Sequence, residues 1–100
     1  MSAEQNKQRL REFYENVWNA DDPDYDSYLA PEAADYRQFI EERKAAEPDI
    51  HFELGEIIAE GNTVVAVNST AARPGIEFLS LWHFKDGKIT DRAFYRRELE

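Results

Sequence analysis

From Ile76 to Tyr95 the chain reads as two long strands joined by the turn Lys85, Asp86, Gly87, Lys88, and this hairpin restricts the fold more than any other stretch. Strand side chains alternate, so Ile76, Phe78, Ser80, Trp82 and Phe84 share one face and Glu77, Leu79, Leu81 and His83 the other. Both rows are largely apolar, which predicts a strand covered on both sides. Ser80 is the one polar member of the inner row.

Upstream, Ser2 with Gln5 fits a capping box, and Leu10, Phe13, Tyr14, Val17 and Trp18 then recur at helical spacing as one apolar stripe. Arg9, Arg11, Glu12, Glu15 and Asn16 make the opposite, solvated face. Asp22 before Pro23 predicts the cap of a short second helix with Tyr25, Tyr28 and Leu29 inward. Pro31 opens a third helix carrying Tyr36, Phe39 and Ile40, which ends before Pro48. Its charged residues Glu41, Glu42, Arg43, Lys44 and Glu47 read as a wet face.

Past Asp49 the period changes to two. Ile50, Phe52 and Leu54 start a strand that Gly55 can bulge before Ile57 and Ile58. Gly61 and Asn62 turn into a valine-rich strand from Thr63 to Ala72. Arg73, Pro74 and Gly75 turn again, and Thr90 to Arg97 closes the set. Three helices followed by four sequential strands predict an α+β domain over residues 1–100, with an antiparallel meander and the helices on one face.

A hundred residues suffice for one core. Twenty-one acidic against 12 basic residues leave a formal charge of −9, which disfavours phosphate backbones and anionic membranes as partners. Cysteine is absent, so disulfides and thiolate metal sites are excluded. No apolar run reaches the roughly 18 residues of a membrane span, and the charged N-terminus lacks a signal core; a cytoplasmic location is expected.

Phe13 to Asn19, then Leu29, Ala30, Pro31, then Phe39 to Ala46 with Pro48 and Asp49, then Ala59, Glu60, Gly61, and Phe84 to Ile89 resemble, in order and spacing, the SnoaL-like polyketide cyclases. These lie within the nuclear transport factor two and ketosteroid isomerase superfamily. The resemblance implies a cone-shaped curved sheet wrapped on the N-terminal helices around an apolar pocket. It also implies homodimers through the outer sheet face, which Leu79 and Leu81 suit. Two departures stand out. Relatives carry a strand or hairpin, with the isomerases' general-base aspartate, where Leu29 to Tyr36 passes almost directly between helices. The inner row of the penultimate strand in cyclases and isomerases carries an aspartate where this chain has Ser80.

By the same resemblance Tyr14 matches the tyrosine that donates to a developing oxyanion, so Tyr14 and Ser80 are the candidate catalytic pair. A serine hydroxyl without an adjacent base cannot replace a carboxylate. Tyr14 also reads as a core aromatic, and Ser80 as a small residue making room for Trp18 or Trp82. Trp18, Tyr28, Phe39, Phe52, Phe78, Trp82 and Phe84 are the expected wall of a pocket for a small apolar or aromatic ligand. Asp91, Arg92, Glu53 and Asn68 are further polar candidates whose side of the sheet the pattern leaves open. His51 and His83 lack companions at metal spacing, so no metal is expected, and the isomerase or cyclase type of step that the resemblance implies requires no cofactor. Two readings follow: a binding domain, or a cofactor-free isomerase or cyclase, for a carbonyl compound; and a noncatalytic homodimeric module, a shortened or engineered relative without native substrate.

Overall fold

The structure, a computed structural model, describes residues 1–99. Helix α1 (Ala3–Phe13) starts at the reciprocal Ser2–Gln5 capping box and continues into one π-helical turn, Tyr14–Trp18, where the Asn19 amide donates to the Tyr14 carbonyl at 2.8 Å. Leu10, Phe13, Tyr14, Val17 and Trp18 are all buried, as their spacing requires. Asn6 joins them: its amide donates to Gly61 O at 3.0 Å and tethers the helix to the turn between the first two strands. At the other end Asn19 takes the place of a strand neighbour, accepting from the Phe52 N–H (2.8 Å) and donating to its carbonyl (2.9 Å).

Helix α2 (Tyr25–Tyr28) is capped by Asp24 rather than by Asp22, because the Asp24 carboxylate accepts from the Ser27 amide. The chain then makes a single parallel bridge, Leu29 to Ile89, before a 3₁₀ turn at Pro31–Ala33 leads into α3 (Ala34–Ala46). Among the described residues that one bridge and the 3₁₀ turn are all that stand between α2 and α3. The expected wet face of α3 needs correction. Lys44 turns inward to cap the carbonyls of Trp18 (2.7 Å) and Ala20 (2.9 Å), and Arg43 reaches an ion pair with Glu47 at 3.2 Å.

Strands β1 (Phe52–Glu60), β2 (Thr63–Thr70), β3 (Ile76–Lys85) and β4 (Lys88–Glu98) form an open antiparallel meander in the order β1-β2-β3-β4. Between Leu54 and Ile57 a bulge resets the alternation, so Phe52 and Leu54 precede it inward, Ile57 follows inward and Ile58 faces out. Asp86 and Gly87 both have positive φ (52° and 80°), which closes the β3–β4 hairpin with the right-handed twist of its strands. The inner row of β3 packs on α1 and α3, and Ser80, Trp82 and Phe84 are buried. The expectation of cover on both sides holds for that row alone. Leu79 is 46% exposed, because nothing among the described residues lies over the outer face.

Candidate functional site

Antiparallel register brings three inner rows together across β2, β3 and β4: Val64–Trp82–Arg92, Ala66–Ser80–Phe94 and Asn68–Phe78–Arg96. The middle row is built from small residues on β2 and β3. That leaves the Trp82 indole room to fold back and donate to Ser80 Oγ at 2.8 Å, while the Ser80 hydroxyl lies 3.1 Å from both Ala66 O and Asn68 Oδ1. Its single proton serves one of those acceptors at a time. Ser80 is fully buried. Phe94, on the same row, packs edge-on against Trp82 (5.4 Å between ring centroids).

Beside this cluster Phe52 meets Trp18 and Tyr14 edge-on, with ring centroids 4.9 and 5.9 Å apart. A cavity of about 220 Å³ opens between the sheet, the π-helical turn and α3. Its wall is Tyr14, Trp18, Phe39, Phe52, Phe78 and Phe94, with Ile50 and Thr70 at one end, and it is open on one side. Around the opening stand Arg43, Arg73 and Arg96. The π-helical turn matters here, since it carries Tyr14 and Trp18 to the wall while Asn19 fixes the adjoining end of β1.

Of the residues singled out from the sequence, Tyr14, Trp18, Phe39, Phe52 and Phe78 share this wall. Tyr28, Trp82 and Phe84 lie outside it, in the packed core, and Ser80 lies behind it. Among the other polar candidates, Asn68 is buried beside Ser80. Arg92 crosses the Tyr36 ring at 4.5 Å and pairs with Asp35. Asp91 pairs with His83 at 3.5 Å, and Glu53 and His51 are exposed. Among the described residues no group of His, Asp or Glu is arranged to hold a metal ion. Sequence reasoning passed over Phe94, Tyr36 as a polar group, and the three arginines.

Burial pushes the Tyr14 phenol well above its ordinary range, and the nearby Ser80 hydroxyl pulls it only partly back. Tyr36 is likewise raised, first by burial and then by the proximity of Tyr14, against the hydrogen bond from Trp18 Nε1 (2.9 Å) and the charge of Arg92. At the rim, Glu47 is held below the usual carboxylate range, chiefly by hydrogen bonds from Arg73 and then from Arg43.

The two raised phenols set an alkaline limit on stability. In the unfolded chain a tyrosine ionises near pH ~10, whereas Tyr14 and Tyr36 keep their protons in the fold. Their contribution is complete below that pH and falls above it by about 1.4 kcal/mol per pH unit for each phenol. In a pH titration, tyrosinate absorbance should rise in two phases, the second coinciding with loss of far-ultraviolet dichroism. Ionisation of all five tyrosines near pH ~10 with the fold intact would contradict the burial assigned to Tyr14 and Tyr36.

A family model described as a SnoaL-like domain matches residues 3–92. Among solved structures, a SnoaL-like protein of unknown function from Burkholderia thailandensis superposes with a TM-score of 0.70 at 20% identity, covering 94% of this chain and 95% of that one. A protein from Acidithiobacillus ferrooxidans, titled "a putative polyketide cyclase", gives a TM-score of 0.70 at 20% identity, covering 92% of this chain and 87% of that one. The comparison with curated proteins returned no match.

Proposed function

Since the chain belongs to the SnoaL-like domain family, we propose that its aromatic cavity binds a small apolar or aromatic carbonyl compound, with the Tyr14 phenol donating to the carbonyl oxygen. The observation that carries this reading is Tyr14 itself: a buried phenol on the wall of an open cavity, whose raised pKa keeps it a donor throughout the physiological range. A cavity of about 150 Å³ holds one benzene ring, so about 220 Å³ suits a compound of one or two rings. Ser80 acts through Tyr14 as a positioning residue. Among the described residues the wall carries no carboxylate, histidine or lysine, so it offers a proton donor without a base. Binding and polarisation are therefore the primary function, and a cofactor-independent isomerase or cyclase step would need its base from the substrate.

Titration with 2-naphthaldehyde, followed through the fluorescence of Trp18 on the wall, tests this. Saturable binding is expected, and Tyr14→Phe should weaken it about fivefold, the worth of one neutral hydrogen bond of about 1 kcal/mol, while naphthalene binds both proteins equally. No saturation, or an aldehyde affinity indifferent to Tyr14→Phe, would overturn the proposal.

A second reading concerns the outer face and is compatible with the first. Ile58–Val65–Leu81–Ala93 and Val67–Leu79–Tyr95 form two apolar rows across the sheet, with Ile58 62% and Tyr95 61% exposed. A patch of this kind matches a copy of itself about a two-fold axis, so the chain pairs as a homodimer through Leu79 and Leu81. Sedimentation should show a dimer at micromolar concentration that Leu79→Asp converts to monomer. A wild-type monomer would end this reading.

A further inference from the structure

The rim of the cavity has the wrong sign for the molecule that carries it. The chain has a net charge of −9 and eight arginines, yet three of the eight, Arg43, Arg73 and Arg96, surround the apolar opening. They are not equivalent. Arg73 holds Glu47 with two hydrogen bonds (3.1 and 3.2 Å), and Arg43 pairs with the same carboxylate while lying 5.6 Å over the Phe39 ring. Those two have structural work, because they fasten the end of α3 to the β2–β3 turn. Arg96 has none: its ionic partner is Glu98 at 3.6 Å, both side chains are exposed, and among the described residues it makes no hydrogen bond. Its guanidinium stands at the cavity mouth, on the row it shares with Phe78 and Asn68.

Building on the cavity reading above, we propose that the natural ligand is an aromatic anion, its ring system held between Phe52, Phe78 and Phe94 and its carboxylate paired at the mouth by Arg96, with Arg73 as second donor. A neutral ligand has no use for a cationic rim, whereas an arginine fork matches a carboxylate in both charge and geometry. The acidic remainder of the molecule does not cancel this. Charges beyond a Debye length of about 8 Å are largely screened at physiological salt, so the three guanidiniums, offset by the one Glu47 carboxylate that Arg43 and Arg73 share, decide the local field. The acidic remainder acts instead as a filter that slows the approach of polyanions.

Three probes of one shape separate the terms: 2-naphthoate, its neutral methyl ester, and 2-naphthylmethylammonium, each titrated against the full chain at low and at high salt. The naphthoate should bind about tenfold more tightly than the ester at low salt, the ammonium compound most weakly, and the naphthoate preference should shrink as salt rises. Arg96→Gln should abolish the preference while leaving the ester's affinity unchanged. Because Arg96 is exposed, this variant keeps the fold, and its thermal transition verifies that. If ester and naphthoate bind alike, or if Arg96→Gln leaves their ratio intact, the anion assignment fails and the cavity reading survives. If none of the three binds, both fail together.

Discussion

Trp82→Ala is expected to destabilise the domain by about 3–5 kcal/mol, the largest loss from any single truncation in the chain. Trp82 is completely buried and meets Phe13, Tyr14, Tyr36 and Phe94 at centroid separations of 5.4–6.0 Å. It is the point where α1, α3 and the inner face of the sheet touch. Its removal leaves a void that rigid aromatic neighbours cannot collapse into, and strips Ser80 of the indole donor at 2.8 Å. For a domain of this size that loss lowers the thermal midpoint by more than about 12 °C. Urea denaturation gives the comparison, with Leu79→Ala on the exposed outer face as control at under about 1 kcal/mol. A loss at Trp82 no larger than the control's would mean that the aromatic cluster is not the core of the fold.

Ser80→Asp is expected to produce the second largest effect, and a pH-dependent one. The site is fully buried, and its acceptors Ala66 O and Asn68 Oδ1 at 3.1 Å would face a carboxylate oxygen with like partial charge. The Trp82 indole, with the nearby Tyr14 hydroxyl, favours the ionised form, but burial outweighs it. Burial therefore raises the pKa of the new carboxyl above the ~3.9 of an unfolded aspartate, by two to three units or more. The sign follows from linkage. Where the folded pKa is the higher, no ionisation penalty exists below pH ~4, and one grows as pH rises toward the folded pKa and then levels off. At about 1.4 kcal/mol per unit it reaches roughly 3–4 kcal/mol at neutral pH and above. Ser80→Asn isolates the charge from the shape. The two variants should be equally stable near pH ~4 and diverge by pH ~8; equal stability at both would show that the site is not desolvated. The same raised pKa is what a general base needs. The resemblance to cyclases and isomerases places an aspartate at this position, and Ser80→Asp measures what such a group costs this fold.

Features governed by local chemistry were legible in the sequence. The Ser2–Gln5 box, the stripe from Leu10 to Trp18, the Gly55 bulge and the Asp86–Gly87 turn each follow from short-range sterics and hydrogen bonding, and the strand order follows from the short connections between them. What escaped was set by distant partners. The π-helical turn shares its residues with an ordinary helical stripe; what accompanies it is the fit of Asn19 onto Phe52, 33 positions away. Lys44 looks like a helix-surface charge, and only the end of the π-helical turn gives it partners; Arg43 pairs locally with Glu47, and the return of the chain at Arg73 adds a second guanidinium to that carboxylate. On β4 the inner residues Arg92, Phe94 and Arg96 and the outer residues Asp91, Ala93, Tyr95 and Arg97 are equally mixed in polarity, so alternation alone could not tell the faces apart. For the same reason, Arg96, one of the three rim arginines, and the Phe94 wall were invisible until the register was known.

The proposed ligand binding depends on hollow space beside Tyr14. A crystal of the protein pressurised with xenon tests that directly, because xenon enters dry apolar volumes and leaves filled ones empty. A xenon peak is expected between Phe52, Phe78 and Phe94, within contact of the Tyr14 ring. A map with no xenon there, and with the aromatic side chains packed against one another instead, would contradict it.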